Sequence, residues 1–162
     1  MSIQFSVLMK NISQWLSEYG ESHQNKTNKA IHWICVPLIL WSILMAISAI
    51  PNPTFLQALN INFLYIVIML AVAYYAMLST SLAIGMVIIM FGMYALTIFI
   101  KVNLAVNIPI FALIVFVLAW IGQFIGHKIE GKKPSFLKDI QFLLIGPIWL
   151  LSDIYKKLKI PL

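Results

Sequence analysis

Along the first twenty residues, Phe5, Leu8, Ile12, Trp15, Leu16 and Tyr19 recur at spacings of three and four, while Lys10, Gln14 and Glu18 fall elsewhere. The spacing predicts an amphipathic helix ended by Gly20, and its one apolar face suits a helix lying on a membrane surface. From residue 31 the mixing of polar and apolar positions stops. Ile31–Ile50, Phe63–Leu78, Leu82–Ile100 and Ile108–Ile125 are apolar runs of some 16–20 residues, divided by "PNP", a turn at 79–81 and "KVNLAVN". Each approaches the ~20 residues that cross a ~30 Å hydrocarbon core, so four spans are expected. A fifth apolar stretch, Ile140–Tyr155, carries Pro147 in its middle and is followed by Lys156, Lys157 and Lys159. It would reach about 24 Å as a helix. It is expected to be re-entrant or interfacial, because a fifth span would carry those lysines away from the others. The pattern thus predicts an all-α integral membrane bundle of about four transmembrane helices. An N-terminal interfacial helix and a C-terminal re-entrant or interfacial helix complete one domain over residues 1–162.

Composition supports the bilayer as solvent. The chain is 62% hydrophobic and 10% charged, against about 45–50% and about 25% in soluble domains. Every positive charge is a lysine, which gives a net charge of +6. Without arginine or a polar surface the basic balance points away from nucleic acid and toward anionic lipid or an acidic substrate. Four spans place ten of the eleven lysines on one side, leaving Lys101 alone on the other. This positive-inside asymmetry predicts that both termini are cytoplasmic, in a bacterial inner membrane or endoplasmic reticulum. All five acids, Glu18, Glu21, Glu130, Asp139 and Asp153, fall on the same side. Ala46, Ser48 and Ala49 imitate a signal cleavage site, but the run before them is too long for a signal core. Cys35, the one cysteine, excludes an intrachain disulfide and is expected to be a small packing residue.

Polar residues crowd two places on that side. "GESHQNKTNKAIHW" precedes the first span, and "WIGQFIGHKIEGKKPS" closes the fourth. The three histidines, His23, His32 and His127, all lie there, at one membrane level. If the fourth helix continues through its motif, Gln123, His127 and Glu130 share one face, and Asn28 and His32 stand one turn apart. Pro37 frees the carbonyl of Trp33, a turn above His32, and can kink the first span there. Three imidazoles and a carboxylate suit a divalent transition metal, and open positions beside such a set favour non-haem Fe(II). His23, His32, His127 and Glu130 are therefore the candidate ligands, although Glu130 could instead pair with Lys128 or Lys133. Gln123 and Asn28 are candidates to orient ligands through hydrogen bonds, with Tyr19 and Glu21 as weaker ones. The eight methionines and the aromatic residues are expected to pack and to line the interfaces.

Several chemistries are excluded. There is no glycine-rich phosphate loop, no G-x-S-x-G elbow and no C-x-x-C, and three histidines cannot fill the boxes of di-iron membrane desaturases. A haem held axially by His32 and His127 stays open as an alternative. So does a transporter or scaffold, although the middles of the spans offer almost no polar residue for an ion path.

The blocks Tyr19-x3-His23-x4-Asn28-x3-His32-x4-Pro37 and Gln123-x2-Gly126-His127-x2-Glu130-x3-Pro134, in this order with apolar spans between, resemble a known family. It is the membrane 2-hydroxy fatty acid dioxygenase family of phytosphingosine degradation and fatty acid α-oxidation. The resemblance implies Fe(II) at the histidines and loss of one carbon from a 2-hydroxy fatty acid, with O2 as co-substrate. A 2-hydroxy acid can chelate iron through its carboxylate and hydroxyl, its alkyl chain lying among the spans. Lys26, Lys29 or Lys128 could attract the carboxylate.

Overall fold

The computed structural model describes residues 10–133 and 141–162. Among them every regular element is α-helical, with no strand. Asn11 caps α1 (Ile12–Gly20): its side chain accepts from Gln14 N while the Gln14 side chain accepts from Asn11 N. Trp15, Leu16 and Tyr19 are buried, as the periodicity required. Their cover is protein, with Trp15 and Tyr19 packing on Phe142 and Tyr19 also on Trp149. Phe5 and Leu8, assigned to the same face, lie outside the described residues.

The first long helix, α2 (Lys26–Ser48), starts before the apolar run because Asn25 caps it, accepting from the amides of Thr27 and Asn28. It runs unbroken through Pro37. After a short α3 (Thr54–Ala58), α4 (Phe63–Leu78) and α5 (Thr80–Leu104) form a hairpin whose link is Ser79, the residue that caps α5. Helix α6 (Ile108–Glu130) is capped by Asn107 and continues five residues past the apolar run. Gly131 ends it in the left-handed region at φ 72°, its amide reaching the carbonyl of His127, as a glycine C-cap does. Helices α2, α5 and α6 are long and apolar enough to cross a membrane, which supports a membrane protein, whereas α4 is a shorter apolar helix of 16 residues.

The most extensive packing joins α2 to α6. Ala119, Gly122 and Gly126 present a stripe of small residues there, and a Cβ at Gly122 or Gly126 would come within 2.5 Å of Cys35 Sγ or Asn28 Oδ1. Such stripes let helix backbones approach closely in lipid. Cys35 is buried in this contact with Ile39 and Ala119, the packing role expected of it.

Helix α7 (Gln141–Leu158) buries Phe142, Ile145, Ile148, Trp149, Leu150 and Leu151. It packs on α1, α2 and α5. Tyr75, near the end of α4, donates to the carbonyl of Leu144 at 3.0 Å, and Tyr155 donates to the carbonyl of Ser81, at the start of α5, at 3.0 Å. Two distant positions of α7 thus meet the same end of the bundle, so the helix runs across that end. This is where α1 and the histidines also lie. Its apolar residues are covered chiefly by protein.

Candidate metal centre

Each histidine reaches the centre from a different local structure. His23 sits in the link between α1 and α2, its Nδ1 2.6 Å from the carbonyl of Tyr19. Its ring stacks on the Tyr19 ring, with centroids 4.3 Å apart and planes 8° from parallel. His32 lies on the second turn of α2, its Nδ1 2.9 Å from the carbonyl of Asn28. Both carbonyls accept, so both Nδ1 atoms carry the proton and both Nε2 atoms offer lone pairs. His127, on the last turn of α6, places its Nε2 3.2 Å from His32 Nε2. One ligand atom from each ring lies within 4.8 Å of the others, and all three side chains are buried.

The donor set fits a metal ion. His23 Nε2 and His127 Nδ1 are buried without a hydrogen-bond partner, and buried polar atoms are otherwise almost always satisfied. A second ring nitrogen bonded to a carbonyl is the usual support of a ligating imidazole. Burial lowers the pKa of His23 to about 4, which keeps its ring neutral near pH 7, as ligation requires. Burial also raises the Tyr19 phenol, which stays protonated. A haem between His32 and His127 fits less well. Their Nε2 atoms are closer than two metal–nitrogen bonds of about 2 Å laid end to end, and the His23 ring stands 4.3 Å from that of His32.

Glu130 lies beside the cluster rather than in it. One carboxylate oxygen accepts from Gln24 N at 2.8 Å, and the other accepts from Asn25 N and Asn28 Nδ2, both at 2.9 Å. The carboxylate therefore holds the chain between His23 and α2. Neither Lys128 nor Lys133 bridges it among the described residues. Asn28 is fully buried, and its Nδ2 also donates to the carbonyl of Ser22 at 3.1 Å. Lys132 ties the same link from outside by donating to the carbonyl of Glu21.

A mostly apolar cavity runs between α2, α4, α6 and α7, with His127, Gln123 and Tyr19 on its wall. Gln123 is buried one turn before His127 and lines the cavity. The three lysines expected near a carboxylate are not on that wall. Lys26 and Lys128 are exposed and Lys29 is half-buried. Glu21 is exposed, while Pro134 lies outside the described residues. Sequence reasoning missed Trp149 of α7, whose ring packs 5.3 Å from that of His23; nothing in its local pattern marks it. It also missed the packing role of Gly122 and Gly126, which the Ala119-x2-Gly122-x3-Gly126 spacing could have signalled.

Fold and site together define a helical membrane protein with a buried three-histidine centre at one end of its bundle. Residues 9–158 match the family described as 2-hydroxy-palmitic acid dioxygenase Mpo1-like, and the chain belongs to that family. No curated protein and no solved structure matches it. The family's description suggests 2-hydroxy fatty acid dioxygenase activity.

Proposed function

We propose that this chain is an Fe(II)-dependent dioxygenase that shortens a long-chain 2-hydroxy fatty acid by one carbon. The observation that carries this reading is the convergence of three buried imidazoles, one of which, His127, lies on the wall of an apolar cavity. His23, His32 and His127 would hold the metal. Bound iron supplies a Lewis-acidic centre able to engage the hydroxyl and carboxylate of the substrate and O2. The carbonyls of Tyr19 and Asn28 fix the tautomers and orientations of His23 and His32. Glu130 and Asn28 lock the link that carries His23, a positioning role rather than ligation. Gln123 and the Tyr19 hydroxyl are the neutral donors beside the acid head. The amines of Lys26 and Lys128, both exposed, and of half-buried Lys29 draw the anionic substrate from the membrane surface.

Conversion of RCH(OH)COOH and O2 to RCOOH, CO2 and H2O balances in atoms and electrons. Neither 2-oxoglutarate nor a nicotinamide is needed, in keeping with a chain that has no dinucleotide fingerprint. The lysine distribution supports a site at the cytoplasmic face. Reporter fusions after Pro53 and Asn103 should read non-cytoplasmic, and those after Gly131 and at the C-terminus cytoplasmic.

The test is product analysis by mass spectrometry with protein purified anaerobically and loaded with Fe(II). A long-chain 2-hydroxy acid should give the acid one carbon shorter, in a reaction stopped by chelator. The non-hydroxylated acid should not react, because it lacks the second chelating oxygen. Turnover after chelation, or equal turnover of the plain acid, would refute the reading.

A further inference from the structure

The cavity has a direction. His127, Gln123 and Tyr19 form one end of its wall, and away from them the wall is apolar, following α2 from Val36 to Ile47. At 1.5 Å per residue this face extends about 16 Å, close to the depth of one leaflet's acyl chains in a ~30 Å hydrocarbon core. The neighbouring helices agree on the direction. Tyr75 of α4 joins α7 at the histidine end, whereas Val67, two turns earlier on α4, lines the wall together with Ile47. Beyond Val67 and Ile68, Leu64 is fully buried in the core with Leu44 and takes no part in the wall, so packed side chains lie past that end.

We propose that this cavity is an acyl-chain channel and that Leu44, Ile47 and Val67, at its far end, set the length of tail accepted. The inference rests on the dioxygenase reading for the head group but not for the tail. An apolar wall about one leaflet deep, polar only beside the histidines, matches a single long-chain acid with its carboxyl end at the metal centre. Each methylene kept out of the channel should weaken binding roughly fourfold. Val67→Trp fills the far end and should move the preferred acid to a shorter chain, and Ile47→Phe should act in the same direction. Leu44→Ala should move it to a longer one.

The test is photolabelling of full-length protein in detergent, without added metal, using long-chain 2-hydroxy acids that carry a diazirine at either end of the tail. Peptide mapping should find the distal probe on Leu44, Ile47 and Val67, and the proximal probe near Val36 and Phe142. Binding across a series of chain lengths should shift by at least about fourfold per methylene excluded in Val67→Trp. If that variant does not fold, Ile47→Phe and Leu44→Ala give the same readout in opposite directions. Labelling confined to lipid-facing residues such as Ile34 and Phe124, or identical maps for the two probes, would overturn the channel. Position-dependent labelling without turnover would uphold the channel while the reaction fails, and turnover with indiscriminate labelling would refute the channel alone.

Discussion

The two ends of the helical bundle use similar polar residues in opposite ways. At the end away from the histidines, Asn62 caps α4 through Leu64 N, Asn107 caps α6 through Ile110 N, and Asn103 donates to the carbonyl of Phe99. Among the asparagine contacts described there the longest, Asn52 to Phe63 N, closes a loop of eleven residues. At the histidine end, Glu130 reaches residues 102 to 106 positions away, and His32 meets His127 across 95. Local bonds finish helices at little cost. Long-range ones require ordering of groups from several elements, and desolvation where they are buried, as between His32 and His127, and they build a centre no single segment could hold.

The contrast breaks most severely at the ligands. His23→Ala, His32→Ala or His127→Ala should each remove most bound metal and lower activity by more than the about 10–100-fold typical of supporting residues. Metal analysis of inserted, purified variants measures this, and full occupancy in all three would remove the centre. Glu130→Ala should come next. It leaves Gln24 N, Asn25 N and Asn28 Nδ2 without their shared acceptor, which should cost about 1–3 kcal/mol in detergent unfolding. Metal affinity should fall by about 10–100-fold.

Two glycines sharpen the same comparison without touching a polar atom. Gly126→Ala gains up to about 1 kcal/mol of helix propensity, but its Cβ would stand 2.5 Å from Asn28 Oδ1. Asn28 is held by Ser22 and Glu130, so the overpacking cost of about 1–3 kcal/mol should win and metal affinity should drop. Gly92→Ala meets nothing within 4 Å and should instead raise the melting temperature slightly. At the far end the centre should not respond at all. Asn107→Ala should cost about 0.5–2 kcal/mol through loss of the α6 cap, with metal content unchanged.

Helix by helix, the hydrophobic pattern alone determined a great deal. It located the long apolar helices, and it put Asn28 beside His32 and Gln123 beside His127, because a spacing of three or four fixes a shared face wherever the helix lies. It also brought all three histidines to one level. It did not determine what covers an apolar face. The stripe of α1 reads the same against lipid as against Phe142 and Trp149, and α7 is apolar because it packs over the end of the bundle, with Trp149 beside His23. Nor could it choose the partners of Glu130. A carboxylate at the end of α6 could ligate a metal, pair with a lysine or cap a backbone, and all three choices are compatible with the same motif. The tertiary structure decided for the amides of Gln24 and Asn25, because packing of α2 on α6 brings those donors within hydrogen-bond distance, and hydrogen bonds select by distance rather than by sequence.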